Sequence, residues 1–281
     1  MSRHLLKAGY ILSKMFLSQK KGVVFVHIPK CGGTSINTAL KNKFAGFKSH
    51  HISSGAARLA GEHILKPASP AEFTRENPTQ LQYLLVYLLN LDNSYISGHM
   101  PVSSNIIEDY QNRYDFITVL RDPVERFISN YIFNKMTNAN PLLLPNNLSF
   151  ENLEQELHEV LKSDRGLQLA SVLSMMITGR YPIDKQDAVN MQSEFNDSLA
   201  KFKVIGFLDD LEGFANSCDK KLGKKPNIGM LNRTKRTFSE KEQQNYEQLV
   251  ALFKTPEVRT AIEDLCAVET ENYQHAKQRY A

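Results

Sequence analysis

The clearest pattern along the chain is an apolar run that leads into a glycine-rich turn and then into a helix. Residues 23–28 are almost entirely apolar, which is typical of an interior parallel strand. After Pro29 and two adjacent glycines, apolar residues recur at helical spacing: Ile36, Ala39, Leu40 and Phe44. The pattern predicts a buried strand, a tight loop and an amphipathic helix that packs back on a sheet.

The same order of elements recurs later in the chain. Residues 115–120 form a second apolar run, and Pro123 suits the first turn of the helix that follows. Shorter strand-like stretches lie at 95–98 and 202–207. A core-facing stripe is expected on the helix after the second run: Val124, Phe127, Ile128 and Tyr131. These elements predict a three-layer α/β fold with a mostly parallel sheet, helices on both faces, and a ligand site at the carboxyl ends of the strands.

Two further regions complete the predicted architecture. Residues 47–79 are rich in Ser, Ala, His and Pro, so we expect loop and short helix outside the sheet, with a role in acceptor recognition. Two C-terminal helices are expected at 239–253 and 256–278, and Ser239 and Glu242 form a capping box at the start of the first. We expect these two helices to cover the sheet.

Composition fits one domain. The chain has 281 residues, of which 42% are hydrophobic and 23% charged, so we expect a single domain over residues 22–281. Its formal net charge of +4 is too small to indicate nucleic-acid binding, although a basic cleft would suit an anionic ligand. Cys31, Cys218 and Cys266 are far apart in sequence, which argues against a zinc site and a disulfide framework. We therefore expect no metal and a reducing compartment.

Residues 1–21 form a basic, amphipathic N-terminal extension. No uninterrupted apolar stretch in it is long enough for a signal peptide, and no transmembrane run occurs in the sequence. We therefore expect the protein in the cytoplasm. The extension is a candidate for peripheral membrane contact, although packing on its own domain or on a partner subunit is favoured. Homo-oligomerisation is left open.

The glycine-rich turn carries candidate phosphate ligands. Gly32 and Gly33 allow backbone N–H groups to approach an anion, and the helix that follows directs its positive end to the same point. Thr34 and Ser35 add hydroxyl donors, and Lys30 supplies a mobile charge. The loop is not a Walker A motif, because no G-x-x-x-x-G-K-[ST] sequence occurs, and a nucleoside triphosphatase is disfavoured. The alternative is a plain strand-to-helix turn whose glycines relieve strain.

A second set of candidate anion ligands follows the strand at 115–120. Arg121 stands at the carboxyl end of that strand, so it is expected to face the same crevice as Lys30. Ser129, two helical turns further on, offers a hydroxyl to the same anion.

These residues resemble the cofactor-binding signature of the sulfotransferases, in particular the group related to heparan sulfate and uronyl 2-O-sulfotransferases. The resemblance rests on two motifs in this order: Pro29-Lys30-Cys31-Gly32-Gly33-Thr34-Ser35 and Arg121-Asp122-Pro123-x-x-Arg126-x-x-Ser129. Residues 97–100 and 202–207 resemble further family segments, so the likeness runs from about residue 22 to about residue 275. The lack of a recognisable membrane anchor favours a bacterial-type cytosolic member.

The resemblance implies roles for individual residues. It implies a P-loop-like fold that binds 3′-phosphoadenosine 5′-phosphosulfate (PAPS), with the 3′-phosphate on Arg121 and Ser129. The same residues that form the loop would hold the 5′-phosphosulfate: Lys30, Cys31, Gly32, Gly33, Thr34 and Ser35, with electrostatic support from His27. Arg233, Thr234 and Lys235 resemble the loop that closes over the nucleotide, although the Arg-Lys-Gly-x-x-Gly motif of the cytosolic sulfotransferases is absent. Arg126 is assigned only a structural or solvated place on its helix.

The expected activity follows from these roles. His99 is the candidate base, since the family has a histidine at this position and an imidazole with a pKa of about 6.5 suits proton removal near neutral pH. Lys30 would stabilise the departing phosphate oxygen. We expect an O-sulfotransferase that moves a sulfuryl group from PAPS to a hydroxyl of a carbohydrate or glycan. A kinase-like phosphotransferase and a non-catalytic nucleotide-binding module are the alternatives, and His50, His51 and His63 receive no role.

Overall fold

The fold is built around one parallel sheet. A computed structural model of the chain describes residues 21–67, 69–137, 150–229 and 239–281. Its five strands are β1 (Gly22–Val26), β2 (Ser49–Ile52), β3 (Tyr95–Gly98), β4 (Tyr114–Leu120) and β5 (Val204–Phe207). The order across the sheet is β2-β3-β1-β4-β5, and all four neighbouring pairs are parallel. The predicted mostly parallel sheet is therefore confirmed.

Helices cover both faces of this sheet. Within the described residues they are α1 (Gly33–Phe44), α2 (Ser54–Leu65), α3 (Pro70–Leu89), α4 (Ser104–Tyr110), α5 (Pro123–Thr137), α6 (Leu153–Lys162), α7 (Asp164–Ala170), α8 (Val172–Thr178), α9 (Lys185–Leu199), α10 (Leu211–Leu222), α11 (Glu240–Leu252), α12 (Pro256–Leu265) and α13 (Ala267–Tyr280). No helix in this part of the chain is both long enough and apolar enough to cross a membrane.

The alternation of side chains along the strands creates the two core layers. Val23 and Phe25 of β1 pack with α1 and α10, whereas Val24 and Val26 face the opposite side, with α3, α8 and α9. The stripe predicted for α1 is buried as expected: Ile36, Ala39, Leu40 and Phe44. The apolar runs of the sequence thus become strands that are buried on both faces, as the three-layer prediction requires.

One expectation about the sheet is wrong. Residues 49–52, which we placed outside the sheet, form the edge strand β2 and pair with β3 from Ser49↔Tyr95 to Ile52↔Gly98. Three of the four β2 residues are polar, and only Ile52 is buried. An edge strand keeps one side in solvent, so its sequence lacks the apolar pattern by which we identified the interior strands.

The C-terminal helices also differ from the prediction. The capping box at Ser239 and Glu242 is present, but the last predicted helix divides at Cys266 into α12 and α13. Leu249 of α11 and Ile262 of α12 pack with α5, not on the sheet. The sheet is instead covered by α13, where the Tyr273 ring meets Phe207 edge-on at 5.7 Å. No glycine or proline marks the break at Cys266, so no local signal in the sequence predicts it.

Candidate functional site

The predicted crevice lies at the carboxyl edge of three adjacent strands. In the β3-β1-β4 register, Val26 pairs with both Gly98 and Thr118. His27 and the glycine-rich loop leave β1 at this edge, His99 follows β3 and Arg121 follows β4. Residues that are far apart in sequence therefore meet because parallel strands end at the same side of a sheet.

The loop between β1 and α1 has a backbone that depends on its glycines. Lys30 has φ +67° and Gly32 has φ +74°, both in the left-handed region. A Cβ atom at Gly33 would lie 1.4 Å from Nε2 of His27, so no larger residue fits while that ring keeps its place. Within the described residues Gly32 caps α1 without a side-chain hydrogen bond. The N-terminus of this 12-residue helix lies at the crevice, where its dipole would favour an anion.

Two cations converge on this loop. Nη1 of Arg121 donates a hydrogen bond to the Lys30 carbonyl at 3.0 Å, and Lys30 Nζ lies 4.1 Å from the centroid of the Phe133 ring. Burial and the positive charge of Arg121 lower the pKa of Lys30. In the part of the chain that the structure describes, no carboxylate forms an ion pair with either residue. Asp122, the nearest acid in sequence, instead accepts from the Glu125 N–H at the start of α5.

Other loop and helix candidates also have defined places. Cys31 packs in the core beneath the loop, and burial raises the pKa of its thiol to about 12. The thiol is therefore not a nucleophile near neutral pH. Thr34 is exposed and Ser35 half-buried in the first turn of α1. Ser129 lies one helical turn before Phe133 and on the same side of α5, and Phe133 contacts Lys30. Arg126 is fully buried and donates to the Leu169 carbonyl, in keeping with a structural place.

His99 has its tautomer fixed by the backbone. Its Nδ1 lies 2.7 Å from the carbonyl oxygen of His27. Because a carbonyl can only accept, Nδ1 carries the proton and Nε2 of the neutral ring carries the free electron pair. Burial lowers the pKa of His99 from 6.5, the His27 carbonyl opposes this shift, and His51 and Lys30 add to it. The imidazole is therefore neutral near pH 7 and able to accept a proton.

His27 does not provide the electrostatic support that we expected. Its ring stacks on Phe25 at 5.5 Å and lies 4.2 Å from the His99 ring. Burial, followed by the charges of His99 and His51, lowers its pKa to about 2. A neutral imidazole cannot neutralise a phosphate. The contribution of His27 is to pack against Gly33 and to present its carbonyl to His99.

Sequence reasoning missed a third histidine at this site. On β2, Nδ1 of His51 lies 3.0 Å from Ser97 Oγ and shares a hydrogen bond with it. The charge of His51 lowers the pKa of both His27 and His99. Its neighbour His50 points to the other face, with Nδ1 2.6 Å from Asn93 Oδ1. His63 is exposed on α2. The only signal in the sequence is the pair of adjacent histidines, and the strand pairing decides which of the two faces the crevice.

The donor set fits a phosphorylated nucleotide. Lys30, Arg121 and the α1 N-terminus place positive charge around one space, and the described carboxylates leave that charge unbalanced. Within the described residues, no cluster of three or more His, Cys, Asp or Glu side chains has the arrangement of a metal site. Arg233, Thr234 and Lys235 lie outside the described residues, so their assignment stays a prediction.

Comparisons with known proteins address the family. The sequence model of the sulfotransferase family matches residues 13–275 and so begins within the segment that we treat as an extension. A sulfotransferase from Alicyclobacillus acidocaldarius is similar in structure, with 14% identity, a TM-score of 0.40, and coverage of 88% of this chain and 96% of its own. A structure from the PezAT toxin–antitoxin system of Streptococcus pneumoniae has 11% identity, a TM-score of 0.35, and coverage of 91% and 99%. No curated protein matches.

These two structural likenesses are distant, and the assignment rests on the family match, which spans nearly the whole chain. That match agrees with the resemblance carried by the two loop motifs. The chain belongs to the sulfotransferase family.

Proposed function

We propose that this sulfotransferase uses PAPS to sulfate a hydroxyl group of a carbohydrate or glycan. The observation that carries the proposal is the fixed tautomer of His99 beside the loop that holds Lys30 and the α1 N-terminus, with Arg121 bonded to that loop. A base with its free electron pair on Nε2 next to an anion site is what transfer to a hydroxyl requires. The carbohydrate class of the acceptor rests on the resemblance to the 2-O-sulfotransferases.

In the proposed reaction His99 acts on the acceptor, and Lys30 and the α1 turn act on the leaving group. PAPS, when bound, supplies the sulfuryl group and a bisphosphate leaving group. Nε2 of His99 removes the proton from the acceptor hydroxyl while that oxygen bonds to sulfur. As the bond from sulfur to the bridging phosphate oxygen breaks, Lys30 and the N–H groups of the α1 turn stabilise the charge that develops on that oxygen.

Arg121 has two tasks in this proposal. Its guanidinium is assigned to the 3′-phosphate, with the Ser129 hydroxyl beside it. One of its N–H groups also fixes the Lys30 carbonyl, so Arg121 helps to hold the loop in its left-handed conformation. The nucleotide-closing role of Arg233, Thr234 and Lys235 is proposed from the resemblance alone.

A screen with labelled PAPS tests the function. The purified full chain is incubated with uronic-acid polysaccharides (heparosan, chondroitin), a neutral glucan (dextran) and a non-carbohydrate alcohol, and products are examined by mass spectrometry for an added sulfate. Binding of the product 3′,5′-bisphosphate is measured in parallel by calorimetry. Transfer to a polysaccharide supports the proposal. Bisphosphate binding without transfer to any acceptor would indicate a nucleotide-binding module, and the lack of both would overturn the PAPS assignment.

The location of the protein and the role of its N-terminal residues are also proposals. We infer a cytoplasmic enzyme whose residues 1–21 are a candidate for membrane contact or for contact with a second copy of the chain. Cell fractionation of the full chain, with sedimentation velocity on the purified protein, tests both ideas. Recovery in the soluble fraction as a monomer would remove both the membrane and the oligomer assignments.

A further inference from the structure

The side chain of Lys30 is held by an aromatic ring. Its Nζ lies 4.1 Å from the centroid of Phe133 on α5, well within the range of a cation–π contact. The ring is 43% exposed, so it stands at the rim of the crevice and is not part of the core.

The Lys30 ammonium depends on this ring because Arg121 forms its hydrogen bond with the Lys30 backbone and not with the side chain. Arg121 binds the Lys30 carbonyl and repels the Lys30 charge. Within the described residues the ammonium group forms no ion pair and no hydrogen bond to a side chain. A four-carbon side chain without a partner samples many rotamers, and fixing it costs entropy. The Phe133 ring removes part of that freedom before any ligand binds.

We propose that Phe133 is a positioning residue for Lys30, whose ammonium its ring holds on the α5 side of the loop, beside Ser129. Phe133 and Ser129 are four residues apart on one helix, so the ring sets the ammonium near the hydroxyl assigned to the nucleotide. The effect on catalysis rests on the proposed function of Lys30. The effect on Lys30 itself does not, and it can be measured in the protein alone.

The charge state of Lys30 gives the first test. A cation–π contact favours the ammonium form, so Phe133→Leu should lower the pKa of Lys30 further, by about 0.4 to 1 pH unit. If the ring merely shields Lys30 from water, Leu would admit water and the pKa would rise. Arg121 and His99 are the charged or titratable groups that interact with Lys30, and both are present in the parent and in Phe133→Leu.

Competitive acetylation of the free protein with acetic anhydride across pH, with Lys30 followed by peptide mass spectrometry, measures this pKa. Phe133→Tyr keeps the ring face and should leave the midpoint unchanged. Tyr83→Leu is the matched control, because Tyr83 is an aromatic residue on α3 that is 71% exposed and far from the loop in sequence. A midpoint that is unchanged or raised in Phe133→Leu would overturn the proposal.

Turnover gives the second test, with an acceptor from the labelled-PAPS screen. Phe133→Leu should lower kcat by about two- to tenfold, since a half-exposed cation–π contact is weaker than a desolvated one. The bisphosphate Kd should stay within a factor of about two, because the Lys30 charge itself is retained. Phe133→Tyr should restore kcat. Wild-type kcat in Phe133→Leu refutes the positioning role, whereas an inactive parent refutes the proposed function and leaves the acetylation result to decide on Phe133.

Discussion

The hydrogen bond between His99 and the His27 carbonyl allows the base function of His99 to be tested apart from its structural contribution. In His99→Asn, the side-chain amide can reproduce the N–H that His99 Nδ1 donates over 2.7 Å, but it has no basic atom at the position of Nε2. In His99→Ala, both the base and the hydrogen bond are lost. The pair of variants therefore separates two effects that a single alanine substitution would mix.

The expected magnitudes differ between the two measurements. Loss of a positioned general base should lower kcat by about 10²- to 10⁴-fold in both variants. Loss of this part-buried hydrogen bond should leave the His27 carbonyl without its partner, which costs about 1 to 3 kcal/mol of folding stability in His99→Ala only. Neither variant should change the bisphosphate Kd much, because His99 is assigned to the acceptor side of the crevice.

The assays are sulfate transfer to a screened acceptor, calorimetry with the bisphosphate, and urea denaturation on the same samples. The parent adds a pH readout: burial holds the pKa of His99 below 6.5, so kcat/KM should begin to fall only below that pH. If His99→Asn keeps more than about a tenth of parental kcat, an effect smaller than the ordinary range for a general base, His99 is not the base. An acidic limb centred above pH 6.5 would contradict the assigned environment.

Three further predictions concern the loop. Lys30→Ala should reduce kcat by about 10²-fold or more and change the bisphosphate affinity far less, because the Lys30 charge matters most as the bridging oxygen becomes anionic. Equal kcat in variant and parent would remove Lys30 from the mechanism. Arg121→Ala should weaken binding of the 3′,5′-bisphosphate by about 10- to 150-fold and binding of 5′-AMP much less, as measured by calorimetry. Equal losses of affinity for both nucleotides would mean that Arg121 does not bind the 3′-phosphate. His27 has a folded pKa of about 2 against 6.5 when unfolded, so protons bind the unfolded chain as pH falls below 6.5. The stability of the parent should therefore drop by about 2 kcal/mol relative to His27→Gln between pH 7.5 and pH 5, in paired denaturant titrations, and a constant difference would show that His27 is not buried as a neutral ring.

Local pattern was sufficient wherever a segment is buried on both faces or ends at a strong signal. The strand before the loop, the stripe of Ile36 and Leu40, and the capping box at Ser239 are confirmed because each depends on neighbours within a few residues. Residues 49–52 could not be assigned in this way. Their place in the sheet depends on pairing with β3, more than 40 residues away, and an edge strand carries little apolar pattern.

The sequence by itself determined which residues could bind an anion. The order of Lys30, two glycines and a helix start, together with Arg121 between a second strand and its helix, indicated the site and the family. Both motifs follow buried strands, and such strands are the most readable elements of a parallel sheet.

Tertiary structure alone decided the protonation and orientation of the side chains. The pKa of His27 is lowered to about 2 by burial, and His99 has its electron pair on Nε2 because the carbonyl of His27, just after the neighbouring strand β1, fixes the proton on Nδ1. His51 enters the site through strand pairing, and Phe133 meets Lys30 across the gap between α5 and the loop. Desolvation and contacts of this kind arise only between segments distant in sequence, so no local pattern of residues encodes them.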